Sequence, residues 1–365
     1  MKTKDYLFPH RLTRRDFLKM AGAASAALVV PGCATSSAEK NSGVRIGSGY
    51  HTYELVDDWG KLPEGMTYGF GCGIVVDGHD RVFVTSRAPS HTVSIFDRHG
   101  KLLETWGDDF AEKVGLTQAQ VAKTAHGLYW SREGSQEYLY WTENVNSTKK
   151  PNYGGRVYKT DLHGKVLYTI GNVEKEGSAS QKFDWTNPTD VAVAPNGDIY
   201  VVDGYGSQRV SHFDKNFTHI KTIGGPGKEH GQFNTCHGVW INTLQPEPEV
   251  YIADRANGRI EVYSLALDYR RTVLEGDVRN PCCFFQHKDK IYIPDLDSRV
   301  TVMDAHDKVA AQLGDGKGDK NNETNPAVFA KPHALNVDSR GDLYVIEWIA
   351  SGRPRKFKHV PQASA

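Results

Sequence analysis

The sequence has little methionine and cysteine, and it has no excess of charge of either sign. Its 44 Lys and Arg residues balance 44 Asp and Glu residues, so no broad basic surface can hold a phosphate backbone, and we expect no nucleic-acid partner. Five cysteines in 365 residues are too few for a disulfide framework. Glycine (36) and tyrosine (17) are abundant in a chain that is 39% hydrophobic. This composition excludes overall disorder and favours a turn-rich, all-β fold.

Residues 1–33 have the features of an export signal. The pair Arg14-Arg15 precedes Phe-Leu-Lys and the weakly apolar run 20–30, which is too short to span a bilayer as a helix. This pattern resembles a twin-arginine signal. The Val-Pro-Gly-Cys segment that ends at Cys33 resembles a lipoprotein cleavage box. We therefore expect an exported protein that is periplasmic or anchored in the membrane through a lipid on Cys33, with residues 34–43 as a polar linker.

Beyond the linker, one sequence unit recurs six times. Each copy has an apolar strand, a tight turn and a second strand that ends in an acidic residue, as 188–203 and 236–254 show most clearly. The copies begin roughly 45 to 63 residues apart, which leaves room for four short strands in each. Repeats of this kind are the blades of a β-propeller. We therefore predict one six-bladed β-propeller of the NHL-repeat type over residues 44–361, with no second domain.

The sixth unit reaches the end of the chain before it has supplied four strands. A strand near residues 50–56 can complete its outer edge and close the ring, which removes an edge that would otherwise invite pairing with another chain. The longer segments 144–155 and 314–325 are expected to be insertions in the connections of the blades, where such folds place function.

The start of the first strand of each blade lines the central channel of a propeller. In blade order, the residues at this position are Cys72, His126, Thr189, His237, Cys282 and His333. A single histidine here fits a hydrogen-bonded channel residue, but three on alternate blades surround the axis and leave an open coordination position, as in catalytic zinc sites. We interpret Cys72 and Cys282 as channel packing or as disulfide partners.

An acidic residue ends the second strand in five of the six blades, and we interpret it as a structural group that caps a turn or pairs with arginine. Three nearby residues differ from this pattern. They are Arg87 in blade one, Tyr205 shortly after Asp203, and Arg255 directly after Asp254. Guanidinium groups bind carboxylates with two hydrogen bonds, and a phenol beside a dication loses its proton more readily than in water. These residues and the histidines predict a metal site with a base and a carboxylate-binding surface.

At these positions the sequence resembles a known family. The segments 203–205, 253–260 and 331–333 are similar to the propeller domain of the peptidyl-α-hydroxyglycine α-amidating lyases (peptidylamidoglycolate lyases), within the wider NHL-repeat propellers. The resemblance spans all six blades and implies zinc (Zn²⁺) as cofactor. The implied site residues are the zinc ligands His126, His237 and His333, the catalytic residues Tyr205 and Arg87, and the substrate-binding residues Arg87 and Arg255.

The family cleaves a C-terminal α-hydroxyglycine to a peptide amide and glyoxylate. The resemblance implies that zinc polarises the substrate hydroxyl or carboxylate, that Tyr205 removes the hydroxyl proton, and that the two arginines hold the carboxylate. The expected partner is therefore a small molecule or peptide that bears a carboxylate.

Three positions differ from the family pattern. Lys331 replaces a methionine two residues before the last histidine. Ala334 replaces a calcium-binding aspartate, so the sequence does not support structural calcium, and Gly206 replaces a cysteine, so at least one family disulfide is absent. A different hemiaminal or α-hydroxy acid is therefore also open as the substrate.

Two other classes of function remain open. An NHL-repeat propeller without catalysis can serve as a protein-interaction scaffold in the cell envelope. A metal-dependent lactone or ester hydrolase would need acidic ligands in the channel, where the sequence offers only Asp190 beside Thr189. Metal content distinguishes the lyase from the scaffold, because a scaffold does not need stoichiometric zinc.

Overall fold

The computed structural model of the chain describes residues 39–144, 153–317, 323, 325 and 328–360. The predicted signal, including Cys33, lies outside these residues, as does much of the two predicted insertions. The described chain forms six sheets of four or five strands.

The strands β1 (Asn41–Ile46) and β2 (Tyr53–Val56) come first in the chain but belong to the last blade. Blade one contains β3 (Gly71–Val76), β4 (Val82–Ser86), β5 (Val93–Phe96) and β6 (Leu102–Trp106). Blade two contains β7 (Ala125–Glu133), β8 (Gln136–Glu143), β9 (Arg156–Thr160), β10 (Val166–Gly171) and β11 (Ser180–Lys182). Blade three contains β12 (Asp190–Val193), β13 (Ile199–Val202), β14 (Arg209–Phe213) and β15 (His219–Gly224). Blade four contains β16 (Cys236–Asn242), β17 (Glu249–Asp254), β18 (Arg259–Ser264) and β19 (Tyr269–Val273). Blade five contains β20 (Phe285–His287), β21 (Lys290–Asp295), β22 (Arg299–Asp304) and β23 (Val309–Gly314). Blade six contains β24 (Pro332–Val337), β25 (Leu343–Glu347) and β26 (Pro354–His359), followed by β2 and β1.

In blades one to five, the strands follow chain order from the axis outward, whereas β2 and β1 form the outer edge of blade six. Neighbouring strands of the described residues are antiparallel, except that β11 pairs in parallel with β10. Two helices, α1 (Asp108–Lys113) and α2 (Gln118–Thr124), connect blades one and two. Thr117 caps α2 with a capping box, in which its hydroxyl accepts from the amide of Gln120. Two 3₁₀ turns lie at Gly49–His51 and Arg255–Asn257. The prediction of an all-β, six-bladed propeller is confirmed.

Aspartate turns shape the hairpins between the third and fourth strands. In blade one, Asp97 Oδ1 accepts from the amides of His99 and Lys101, both at 2.9 Å. The same pair of bonds recurs at Asp161, Asp214 and Asp304. An aspartate that binds the amides two and four residues ahead stabilises a tight turn, which is the local reason for the recurring acidic residue at the end of the third strand.

The N-terminal strands close the ring, as the short sixth unit predicted. Strand β2 pairs antiparallel with β26, from Tyr53 opposite His359 to Val56 opposite Lys356. Strand β1 then covers the outer side of β2. It begins at Asn41, three residues inside the segment predicted as linker. The small polar residues of this segment did not indicate a strand. The strand forms because its backbone hydrogen-bonds to that of β2.

Candidate metal centre

A β-bulge aims each of three histidines at the axis. The pairing with the second strand skips from Ala125 to Leu128 on β7, and it skips one residue on β16 and on β24. The skipped positions contain His126, His237 and His333, which we call the ring histidines. Because a bulge takes a residue out of the ladder and turns its side chain, these imidazoles converge in the channel rather than lying between blades.

Each ring histidine donates its Nδ1 hydrogen to a backbone carbonyl at the ring position of the next blade. The acceptors are Thr189 for His126, Cys282 for His237 and Cys72 for His333, each at 2.7 Å. A carbonyl can only accept, so Nδ1 carries the hydrogen and the lone pair is on Nε2. This is the second contact by which proteins orient a metal-binding histidine.

The three Nε2 atoms are buried and have no hydrogen-bond partner among the described residues. The ligand atoms lie within 4.8 Å of one another, and the ring centroids are 4.9 Å apart in all three pairs. Burying an unpaired polar atom is unfavourable, and here three such atoms converge. The arrangement fits a single metal ion with three nitrogen ligands.

The electrostatics favour neutral imidazoles. Burial lowers the pKa of each ring histidine, and it brings that of His333 to about 3. The charge of Arg255 lowers all three pKa values further, and that of Arg87 lowers those of His126 and His333. A metal binds only the neutral form of histidine, so all three are ready to bind at neutral pH.

Glycine after two of the ring histidines allows the next blade to approach. A Cβ atom on Gly127 would lie 2.5 Å from the carbonyl oxygen of Thr189, and one on Gly238 would lie 2.2 Å from that of Cys282. These are the oxygens that orient the histidines, so a side chain at either position would push the acceptor away. In blade six the corresponding residue is Ala334.

Tyr205 and Arg255 lie together beside the ring histidines. The tyrosine ring centroid is 5.6 Å from that of His126 and 5.4 Å from that of His237, and the residue is 37% exposed. Arg255 Nη1 donates to Tyr205 Oη at 2.8 Å. Burial raises the pKa of Tyr205, and the charge of Arg255 opposes that shift. The structure thus brings the predicted base next to the predicted metal ligands and gives it a cationic neighbour.

Arg87 lies at the same end of the central channel, across it from Tyr205 and Arg255. Its Nε donates to the carbonyl of Ala125 at 3.3 Å, and its Nη2 donates to Asn144 Oδ1 at 3.2 Å. The guanidinium carbon is 4.9 Å from the centroid of the Trp348 ring. Trp348 in turn stacks on His333 at 5.1 Å and 30°. Every predicted site residue is therefore part of one cluster.

Asn144 and Trp348 were not predicted as site residues. Each directly follows the acidic residue that ends a second strand, which is also the position of Arg255. A comparison of this position across all six blades, rather than of its charged members alone, would have found both.

The acidic residues that end the second strands are structural, as interpreted from the sequence. Four of them pair with arginine, in Glu143–Arg156, Asp254–Arg259, Asp295–Arg299 and Glu347–Arg353. In blade three, Asp203 instead accepts from the backbone amides of Thr186, Asn187 and Ser207. The bonds of Asp203 hold the loop that contains Tyr205, and the Asp254–Arg259 pair encloses the turn that contains Arg255.

A cavity of about 730 Å³ lies in the channel, on the side of the ring histidines that faces away from Tyr205 and Arg255. It extends to the hairpins between first and second strands, such as 195–197, at the end of the blades opposite Tyr205 and Arg255. Cys72 and Cys282 line it, and both thiols are free, as are those of Cys236 and Cys283. Burial raises the pKa of Cys72 and of Cys282 to about 12. Of the two interpretations, channel packing is the one that the structure supports.

Comparison with known proteins identifies two features of the sequence. An NHL repeat matches residues 186–213, in blade three, and the twin-arginine translocation (TAT) pathway signal sequence matches residues 11–31. The predicted export signal is thereby supported. No helix in the described part of the chain is long and apolar enough to cross a membrane.

Curated relatives fall into two groups. The chain is 27% identical to NHL repeat-containing protein 3 of Homo sapiens over 214 residues, 58% of this chain and 56% of that protein. It is 28% identical to a probable peptidyl-alpha-hydroxyglycine alpha-amidating lyase of Caenorhabditis elegans over 189 residues, 51% of this chain and 45% of that protein. The chain therefore spans about half the length of these relatives.

Solved structures agree on the fold. A gluconolactonase of Xanthomonas campestris matches with a TM-score of 0.58 at 9% identity, with 86% of this chain and 94% of that chain covered. At this identity the likeness shows only the architecture. The chain is therefore a six-bladed β-propeller with an NHL repeat and a twin-arginine signal, and it is related in sequence both to NHL repeat proteins and to peptidyl-α-hydroxyglycine α-amidating lyases.

Proposed function

We propose that the chain is a zinc-dependent carbon–nitrogen lyase that cleaves an α-hydroxyglycine-type hemiaminal to an amide and glyoxylate. The observation that carries this proposal is the convergence of three buried, unpartnered Nε2 atoms beside a tyrosine that accepts a hydrogen bond from an arginine. The relatives that are named as lyases support the reaction class.

The ring histidines would hold the metal. A donor set of three neutral imidazoles without a carboxylate suits zinc, and it does not suit calcium or magnesium, which prefer oxygen ligands. When bound there, zinc would supply Lewis acidity to the hydroxyl or carboxylate of the substrate.

Tyr205 and the two arginines would do the remaining work. Arg87 and Arg255 approach the opening from two sides, so they can hold the substrate carboxylate. Tyr205 takes the hydroxyl proton, the C–O bond becomes a carbonyl, and the C–N bond breaks. The leaving amide nitrogen gains one proton, so the reaction needs no external acid or base if Tyr205 returns the proton that it took.

The bond between Arg255 and Tyr205 gives the arginine a second task. Burial alone would leave little of the phenol ionised at neutral pH, because it raises the pKa of the hydroxyl. The guanidinium charge stabilises the phenolate, and a bound dication would act in the same direction. Removing Arg255 should therefore lower kcat as well as raise KM, whereas removing Arg87 should act mainly on KM.

The test combines metal content with glyoxylate release. Protein purified without added metal would be analysed for zinc and then assayed with N-acyl-α-hydroxyglycines, with the matching N-acylglycines as controls that cannot release glyoxylate. We expect about one zinc per chain and glyoxylate from the hydroxylated compounds alone. Protein that binds no zinc and releases no glyoxylate would favour a protein-interaction scaffold in the cell envelope, the alternative to which the likeness to NHL repeat-containing protein 3 points.

The location of the mature protein is also a proposal. We infer from the twin-arginine signal that the propeller acts in the periplasm, either free or anchored through a lipid on Cys33. Fractionation of cells that express the parent and the Cys33→Ser variant distinguishes the two, because only a lipidated protein would move from the membrane to the soluble fraction on substitution.

A further inference from the structure

We propose that Phe70 and Trp348 form an aromatic shelf that selects substrates with a flat apolar group on the acyl side of the scissile C–N bond. This inference rests on the proposed function and adds the substrate class to it.

The shelf continues directly from the candidate metal site. Trp348 stacks on His333 and lies under the guanidinium of Arg87, at 5.1 and 4.9 Å. The ring of Phe70 is 5.1 Å from that of Trp348, at an angle of 33°. The two rings thus extend the site from a metal ligand outward in one contiguous apolar surface.

The exposure of Phe70 has no explanation in the packing of the fold. The residue is 41% exposed. Four other large exposed apolar residues lie on the outermost strands of their blades, where every blade faces solvent, namely Leu103, Ile220, Tyr269 and Val309. Phe70 instead precedes the innermost strand of blade one, at the same opening as Tyr205. An exposed aromatic ring in that position is typical of a binding surface.

The backbone holds Phe70 in place. Its carbonyl accepts from the amide of Arg87 at 2.9 Å and from the thiol of Cys72 at 3.2 Å. Phe70 is therefore hydrogen-bonded to the backbone of Arg87, the predicted carboxylate binder, and Trp348 packs against the side chain of the same arginine. We expect a substrate whose carboxylate is bound at Arg87 to place its acyl group against these rings.

The chemistry of this surface defines the substrate. The shelf presents aromatic surface beside a cation, which favours a phenyl or indole group over a short aliphatic one. Stacking of one aromatic group is expected to improve binding about 3- to 10-fold. We therefore expect N-acyl-α-hydroxyglycines with an aromatic acyl part to be preferred over the N-acetyl compound.

The experiment measures selection by binding and by turnover. N-phenylacetylglycine and N-acetylglycine, which have the carboxylate but no hydroxyl to react, would be titrated into the zinc-loaded parent, Phe70→Ala, Trp348→Phe and Tyr269→Ala. Tyr269 is the matched control, since it is also 41% exposed but lies on β19. The two α-hydroxy compounds would be assayed for glyoxylate in the same proteins.

We expect the parent and Tyr269→Ala to bind the phenylacetyl compound about 3- to 10-fold more tightly, Phe70→Ala to lose most of that preference, and Trp348→Phe to keep part of it. Equal binding of the two compounds by the parent, or an undiminished preference in Phe70→Ala, would overturn the shelf even if glyoxylate is released. A preference that depends on Phe70 without any glyoxylate would support the shelf and refute the proposed lyase.

Discussion

The oxygen atoms that orient the ring histidines can be displaced without altering any proposed metal ligand. Gly238→Ala does this for His237. The added Cβ would lie 2.2 Å from the carbonyl oxygen of Cys282 and 2.8 Å from the Cα of Cys283, and both are backbone atoms of blade five. They must move by roughly 1 Å to reach ordinary contact distance. The Nδ1–oxygen distance, 2.7 Å in the parent, would then exceed hydrogen-bond range.

Loss of such a partner typically lowers metal affinity about 10- to 100-fold, which corresponds to about 1.4 to 2.8 kcal/mol. Zinc affinity would be measured by competition with a chromophoric chelator, and thermal melting of the metal-free protein would report separately on the fold. Gly177→Ala is the matched control, because the new Cβ would have only one ordinary contact, at 3.6 Å from Ser180 Oγ. Its zinc affinity should equal that of the parent.

A second variant keeps the test decisive if Gly238→Ala does not fold. Gly127→Ala should weaken zinc binding in the same way, because its Cβ would lie 2.5 Å from the Thr189 oxygen that orients His126. Zinc affinity within twofold of the parent in a folded variant of either kind would refute the view that these carbonyls prepare the histidines for a metal.

Four further predictions follow from the site and the ring. Replacing any ring histidine with alanine should lower bound zinc sharply, as measured by elemental analysis, whereas His163→Ala, at an exposed position, should not. Tyr205→Phe should retain zinc while turnover falls on the order of 10² to 10⁴, and full zinc with full activity would reject it as the base. In metal-free protein, buried His333 has a pKa of about 3, whereas a histidine in the unfolded chain has a pKa near 6.5. Between these values the unfolded chain binds more protons than the folded one, so the melting temperature should fall as the pH is lowered from about 6.5 toward 3. His333→Gln should make this fall less steep. Deleting residues 45–56 should expose the edge of β26 and cause early melting or aggregation, and unchanged solubility would contradict the closure of the ring.

The histidines, Tyr205 and Arg255 could be predicted from the sequence because the repeat places them in register. A position that recurs in each blade returns at a known angle around the axis, so three histidines on alternate blades imply a shared centre before any distance is known. The same reasoning predicted that a strand from the N-terminal side completes blade six.

Other features could not be predicted in this way. The position of Phe70 is occupied in other blades by Thr124, Thr235, Asn280 and Lys331, so no shared residue type distinguishes it. The Nδ1 acceptors are backbone atoms, which no residue type indicates. Strand β1 was missed because its bonds come from β2 rather than from its own composition. Trp348 has the right register, but its neighbours at that position differ in chemistry, so a search for charged residues passed over it.

The hydrogen bonds of the ring histidines connect the metal site to the closure of the fold. They cross the interfaces from blade two to three, four to five and six to one. The last of these joins the C-terminal strands of blade six to blade one, and the pairing of β2 with β26 inside blade six joins the same N-terminal and C-terminal parts of the propeller. An ion held by all three Nε2 atoms would therefore link three of the six blade interfaces at the axis, while β2 joins the N-terminal and C-terminal strands within blade six. Because a ligand that binds only the closed ring stabilises that state, zinc and the closing strand should each strengthen the effect of the other.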